Sequence, residues 1–480
     1  MEIARNYLYN VLLTLSNLLV PFITIPYISR VLDPEGIGAV SFTASVVQYF
    51  VLFATLGTNL YGTREIASAR GNPEKLNEVF WQIEYLRITA TLLTYAVFSL
   101  FLMLSYPGYR LLYLINSLLI INSALDITFL FQGLEDFAKI TLRGLFVRFV
   151  GTCLIFVLIH KPSDYPLYAL INVSTTILGS IVMWAYFKRY NLHLVKPSFE
   201  QIKYHFVGSV KLFVPLIAIE IYTVLDKTMV GILSTEAEVG YYTMSQRLVV
   251  MVLSLITSLG TVVMPRMSNL IATEQHEEVE KYIRVIFEFL TYASILAMVL
   301  ILVTMKDFVP LFFGSKFLKV KDLVAYITPI ILFVSWSNLF GIQVMVPMKK
   351  EKYLTFSVIA GAIVNFFMNL ILIPRYQSLG AVIGTVAAEF SVTLVQMILV
   401  RKLITLKPLF SQTWKHIVAG ITTLFVLLLL SQINVNPSGK IILETATGLI
   451  VYVSVEMVLK SSINAFVFRK IFSFLKIYPS

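Results

Sequence analysis

The sequence predicts an all-α polytopic membrane protein with about 14 transmembrane helices. Three observations carry this. Hydrophobic residues fill 58% of the 480 positions and charged residues 14%, with a mean hydropathy of +0.81, which leaves too little polar surface to clothe a water-soluble globule of this size. Fourteen separate stretches approach or exceed the roughly 20 apolar residues that a spanning helix needs. The loops between them are too short for a soluble domain, and inside a bilayer a helix is the segment that satisfies its own backbone polar groups.

In order, the spans cover 8–31, 36–58, 79–104, 112–132, 140–159, 165–187, 209–233, 239–264, 283–305, 322–347, 353–373, 379–400, 414–431 and 441–459. The first is longer than a signal-peptide core and lacks a small-residue cleavage site, so it is expected to be retained as a helix. Pro21 and Pro26 in the first span, Pro215 in the seventh and Pro329 in the tenth each remove a backbone hydrogen bond and are expected to bend their helices.

Basic residues set the orientation, because loops rich in Lys and Arg stay cytoplasmic. With the N-terminus inside, 26 of the 38 basic residues fall in inside segments and nine in outside loops, four of those being Lys306, Lys316, Lys319 and Lys321. Both termini are therefore expected in the cytoplasm. The net charge of +11 follows the same bias and lacks the concentrated patch with interleaved aromatics that a nucleic-acid groove requires, so no nucleic-acid partner is expected. Cys153 is alone, which leaves no disulfide framework. His160, His193, His205, His276 and His416 show no ligand spacing, so neither a metal nor a cofactor is expected.

Internal repetition organises the chain. The stretch from Leu32 through Glu35 and Gly38 to Leu56-Gly57-Thr58 resembles that from Leu233 through Glu236 and Gly240 to Leu259-Gly260-Thr261. An even number of spans separates the copies, so they are expected to be parallel repeats about an axis normal to the membrane. The implied division is an N-lobe over 1–190, a cytoplasmic linker over 191–208, a C-lobe over 209–402, and two appended helices with a tail over 403–480.

Charges inside spans are costly and point to pairing or function. Arg87 has Glu84 three residues earlier, which fits either a local pair on one helix face or a ligand-binding cation. Arg148 lies well inside the fifth span, about a turn and a half beyond Arg143, too deep to snorkel comfortably. Lys227 and Arg247 fall at matching depth in the seventh and eighth spans, roughly 10 Å below the outer surface at 1.5 Å per residue, with Asp226 able to neutralise one of them. Such a group reads as a buried structural pair or as a site with one cation to spare. Asp126, Glu220 and Glu389 are further acids within spans, suited to a proton or sodium relay or to satisfaction by neighbouring polar groups.

Several segments resemble the Wzx-type oligosaccharide flippases of the multidrug/oligosaccharidyl-lipid/polysaccharide exporter superfamily. They are Asn6-Tyr7-Leu8-Tyr9-Asn10, Pro26 through Gly38, Asn59 through Ala67, Asp226 through Gly231, Val239-Gly240-Tyr241-Tyr242 and Leu259 through Ser268. The resemblance runs over nearly the whole chain and is weakest beyond Lys402. It implies two six-helix lobes in a V, as in multidrug and toxin extruders, opening alternately to either side of a bacterial plasma membrane. The implied substrate is an undecaprenyl-pyrophosphate-linked sugar repeat unit, moved from the inner to the outer leaflet, with a polymerase and glycosyltransferases of the same pathway as partners besides the membrane lipids. Against that substrate, Arg30, Arg64, Arg87, Arg148, Lys227 and Arg247 are the expected binding cations, and Asp226, Asp126, Glu220 and Glu389 the candidates for coupling to H⁺ or Na⁺.

Two related readings stay beside this one: a flippase for lipid II or teichoic acid units, and a multidrug extruder. The extruder handles cations and calls for a carboxylate-lined cavity, whereas the first span holds no acid. A membrane enzyme is disfavoured, because no loop is large enough for a catalytic domain and no phosphate-binding glycine loop or His/Asp/Ser grouping stands out.

Overall fold

The structure, a computed structural model, describes residues 16, 19–104, 108–187, 190, 192–273 and 275–463. Their regular elements are helical throughout. Among the described residues, eleven helices are long and apolar enough to cross a membrane, or twelve if one bent pair is counted as a single span. The protein is a multi-pass membrane protein. The expected first span begins outside the described residues, and its described part is α1, Leu19–Val31, which stays helical through Pro21 and Pro26.

The chain parts into two compact units, Met1–Gly240 and Tyr241–Ser480. This division by packing is separate from the division by repeats. The first unit continues with α2 (Pro34–Thr55), α3 (Thr58–Ala69), α4 (Pro73–Leu104), α5 (Arg110–Leu125), α6 (Thr128–Gly133), α7 (Phe137–Leu158), α8 (Tyr165–Phe187) and α9 (Phe199–Leu233). Helix α10 (Glu236–Thr257) begins in it. The second unit holds α11 (Leu259–Ala272), α12 (His276–Phe313), α13 (Lys319–Ile327), α14 (Ile330–Asn338), α15 (Glu351–Tyr376), α16 (Ser378–Val400), α17 (Thr413–Leu430) and α18 (Pro437–Val458).

Three expected single spans are broken, the eighth, 239–264, at Ser258 between α10 and α11. The fourth, 112–132, divides at Asp126, whose backbone leaves the helix at φ −83° and ψ 95°. Its Oδ1 accepts from the Thr128 amide at 3.0 Å, so a local side-chain turn replaces the helical ladder and starts α6. The tenth, 322–347, bends by 41° between α13 and α14, where Pro329 interrupts the ladder as its sequence position suggests. Helix α14 then runs into a π-helical turn over Leu339–Met345, a wound-out form frequent at functional sites.

The repeated sequence has a direct structural meaning. A methyl group on Gly38 would stand 1.6 Å from the Glu236 carbonyl oxygen, and one on Gly240 would stand 2.2 Å from the Pro34 carbonyl oxygen. Each copy thus presses its glycine against the backbone at the start of the other's helix, a reciprocal contact of the kind a two-fold relation produces. A break falls at the Leu-Gly-Thr motif in the first copy and one residue before it in the second. Leu56 and Gly57 take left-handed conformations (φ 46° and 73°) between α2 and α3, and Ser258 separates α10 from α11. An aromatic cluster anchors the first unit, with Phe80 stacked on Phe129 and flanked by Trp81, Trp184 and Phe187. It clamps the short α6 to α4 and α8, fixing the residues that follow the Asp126 break.

Candidate functional site

Within the first unit, the break at Asp126 gathers ionisable groups from three elements. Glu84 and Arg87 on α4 are both fully buried, and neither makes a hydrogen bond among the described residues. The Arg87 guanidinium instead lies 5.2 Å from the centre of the Phe129 ring on α6, a cation–π contact that offsets part of its desolvation. Asp126 accepts from the Thr128 amide and hydroxyl, and Arg143 on α7 donates to the Thr128 hydroxyl at 2.9 Å. Arg143 is also 4.0 Å from Asp126. Arg148, half-buried, lies near enough to Arg143 for the two charges to repel and donates to the Ser16 hydroxyl. Gly179 on α8 makes room for this, since a methyl group there would come within 2.8 Å of the Arg143 guanidinium.

Of the residues expected from sequence, this cluster brings together Arg87, Asp126 and Arg148. It adds Glu84, Arg143 and Thr128. Arg143 reads from sequence as an inside anchor, and its five-residue offset from Arg148 was the available signal. Arg30 and Arg64 are exposed, at the end of α1 and on α3. Asp226 is buried and Lys227 half-buried on α9, where the neighbouring Thr228 hydroxyl pairs with Ser45 of α2 at 2.9 Å. A polar seam continues from there, with Asn116 of α5 donating to the Thr43 hydroxyl at 3.0 Å. Asp226 belongs to the first compact unit and Arg247, exposed on α10, to the second. Glu220 on α9 and Glu389 on α16 are half-buried, and Glu389 has a partner.

The end of α9 that precedes the expected span 209–233 is bolted to α3 and α4 through His205. The Tyr61 hydroxyl donates to His205 Nδ1 at 2.9 Å, and Nε2 donates to Gln82 Oε1 at 2.7 Å. Burial holds this imidazole below its ordinary pKa, so the neutral ring is the form these partners fit. Beside it opens a polar cavity of about 620 Å³, lined by Glu65, Glu78, Gln82, Glu200, Gln201 and Tyr204. Nearby, Asp136, Lys139 and Tyr190 close a triad: Lys139 lies 2.6 Å from Asp136, and the Tyr190 hydroxyl donates to the same oxygen at 2.7 Å. Burial raises the Asp136 carboxyl, but these partners outweigh it and hold the group below the usual carboxylate range.

In the second unit, Tyr242 on α10 shares a hydrogen bond with Thr385 on α16 at 3.0 Å, and Asn369 donates to Asn365 on α15 at 3.1 Å. Among the described residues no three His, Cys, Asp or Glu side chains could hold a metal ion.

A model of the family described as "Polysaccharide biosynthesis protein" matches residues 3–271, more than half of the chain. The chain belongs to this family. Two curated relatives carry the name "Putative O-antigen transporter". The one from Escherichia coli (strain K12) is 24% identical over 84% of this chain and 97% of its own length. The one from Shigella dysenteriae is 26% identical over 81% and 98%. A solved structure titled "Lipid II flippase MurJ, inward closed conformation" superposes with a TM-score of 0.75 at 14% identity, covering 94% of this chain and 98% of that one. An inward-facing multidrug resistance MATE family transporter of the MOP superfamily superposes at 0.61 and 13%, covering 81% and 94%. At these identities the likeness is one of fold. The relatives and neighbours named here are transporters and flippases, not enzymes.

Proposed function

We propose that this chain is a flippase that moves undecaprenyl-pyrophosphate-linked oligosaccharide repeat units from the inner to the outer leaflet of a bacterial plasma membrane, for capsule, exopolysaccharide or O-antigen synthesis. The observation that carries the reading is the placement of three guanidiniums, Arg87, Arg143 and Arg148, in the spanning helices α4 and α7, against two carboxylates, Glu84 and Asp126. Guanidiniums held near one another at membrane depth suit a pyrophosphate, whose oxygens take their forked donors bidentately. Family membership and the names of the two curated relatives support the same substrate class. Arg30, Arg64, Lys227 and Arg247 complete the expected path for the charged head group, with the termini in the cytoplasm as the basic bias suggests.

Alternating access coupled to H⁺ or Na⁺ would drive the cycle, with Asp226 the first candidate for the coupling acid. The test is translocation of polyprenyl-pyrophosphate-linked N-acetylglucosamine in proteoliposomes under imposed pH and sodium gradients. Arg148→Glu, Lys227→Glu and Arg247→Glu are expected to insert and to lose translocation. Asp226→Asn is expected to bind the probe but lose its response to the gradients. Normal translocation by all three charge-reversed proteins would overturn the substrate assignment, and an unchanged gradient response would move coupling from Asp226 to Asp126, Glu220 or Glu389.

A further inference from the structure

The C-terminal helices hold ionisable groups that the proposed substrate does not use. One face of α18 buries Glu444, Gly448, Tyr452 and Glu456 at four-residue intervals. Glu456 is fully buried, and its Oε1 lies 2.6 Å from Nδ1 of His416 on α17, itself 1% exposed. The other atom of each group, Glu456 Oε2 and His416 Nε2, has no hydrogen-bond partner among the described residues. Replacing a buried ion pair with apolar residues of similar volume is often neutral or stabilising, so packing alone gives no reason for this one. In a spanning segment such a pair is a functional candidate by default.

We infer that His416 and Glu456 form a proton-binding site whose occupancy sets how α17 and α18 pack on α12. One proton separates its two states. With Nε2 bare, the Nδ1–H donates to the carboxylate and the pair carries one negative charge. With a proton on Nε2 the pair is neutral overall, as imidazolium and carboxylate. The proton exchanges with solvent and nothing else is consumed. In a medium of low dielectric a unit change of charge is strongly felt by whatever packs around it.

What packs around it is tightly tied. On α12, Tyr292 sets its ring edge-on to His416 at 5.9 Å, and its carbonyl accepts from the Tyr452 hydroxyl at 3.1 Å. Glu288, one turn earlier on α12, accepts from Ser462 beyond the end of α18. On α17, Lys415 donates to the Lys460 carbonyl at 3.1 Å. The titratable or charged groups tied to the pair through these contacts are therefore Glu288 and Tyr292 on α12, Lys415 on α17, Tyr452 on α18 and Lys460 just past it, with Glu444 about three turns away on the same face of α18. Each helix of the three is bonded to another within a turn or so of the pair, so a charge change there acts on all three.

The experiment uses the full chain in lipid nanodiscs without any transport substrate, which separates its outcome from that of the flippase reading. Nitrogen-labelled histidine gives signals from the two ring nitrogens of each of five imidazoles, and His416→Asn identifies the pair that matters, whose Nε2 member is followed. Between about pH 5 and about pH 9, the range where histidine charge changes matter, that signal is expected to show Nε2 gaining a proton, and Glu456→Gln to move the midpoint by at least about one unit. In a Cys153→Ser background, spin labels at the exposed Leu302 of α12 and Ile421 of α17 are expected to report a pH-dependent distance. The double apolar variant H416L/E456L, which should pack at least as well, is expected to lose that dependence. A His416 signal unchanged across the range, or one indifferent to Glu456→Gln, overturns the proton site. A distance that does not respond to pH in the parent, or responds equally in the double variant, overturns its link to helix packing.

Discussion

In the first compact unit, α4 and α7 carry three guanidiniums, the buried Arg87 and the half-buried Arg143 and Arg148, beside Glu84 and Asp126. In the second, carboxylates dominate, with Glu288 on α12 and Glu444 and Glu456 on α18 accompanied by His416. The difference is one of permanence. A guanidinium stays charged at any pH a cell meets, so the first set supplies a fixed positive potential suited to an anion. Histidine is the side chain whose ordinary charge change falls in that range, so the proton site inferred at His416 and Glu456 supplies a charge that can change. Both sets are expensive to bury, and neither follows from packing an apolar core.

The largest effect that could break this comparison is expected at Arg87. Arg87→Ala leaves Glu84 buried without its compensating charge and should lower stability by about 3–5 kcal/mol, read as a fall in the unfolding temperature of the purified protein. Removing both charges with E84M/R87M should restore most of that stability while translocation stays lost. A double variant that transports like the parent would make the α4 pair structural, and the contrast between the units would fail.

Smaller effects are expected from Arg143→Gln and Arg148→Gln, each removing a charge-assisted contact of about 1.5–3 kcal/mol and so weakening binding of the pyrophosphate probe by roughly ten- to a hundredfold. Stability should move little, because both groups are only half-buried. Glu444→Gln in the second unit is the matched control and should leave probe binding unchanged; equal losses would show that the units do not divide the work by charge.

The smallest expected effect contrasts the two buried histidines. His205 has both nitrogens satisfied by neutral groups, whereas His416 faces a carboxylate. Because burial holds His205 below its ordinary pKa, its contribution is complete above the unfolded value near about 6.5 and is lost as pH falls below it. Proton uptake on Nδ1 removes the acceptor for Tyr61, so hydrogen exchange over Gln201–Ser209 should quicken in acid, by about 1 kcal/mol or less. His205→Gln should flatten that pH dependence, and a slope unaltered by the substitution would place the titrating group elsewhere.

The existence of the helices and their approximate limits were legible in the sequence, because the length of an apolar run is a local property that the bilayer reads directly. The repeat was legible too, since Gly38 and Gly240 carry the same role in both copies. Asp126 shows where local reading stops. As an acid within an apolar run it signals a relay or a buried pair, yet its carboxylate caps a turn and breaks the span, and that choice depends on the Phe80 cluster fixing α6. The contact of Arg87 with Phe129 and the partners of Arg143 and Arg148 were not legible either. Residues on α4, α6 and α7 meet only through the rotation and register of packed helices, which no single helix encodes in its own period.

The sequence by itself thus determined that the chain spans the membrane many times and that one hairpin is duplicated, because each follows from composition and pattern along a short window, whereas it passed over the buried Glu288, Glu444 and Glu456. Only the tertiary structure decided that Gly38 and Gly240 lie against each other's copies and that His416 and Glu456, forty residues apart, share a hydrogen bond. Contact between distant segments is fixed by how side chains interlock across helices, and that is a property of the assembled fold.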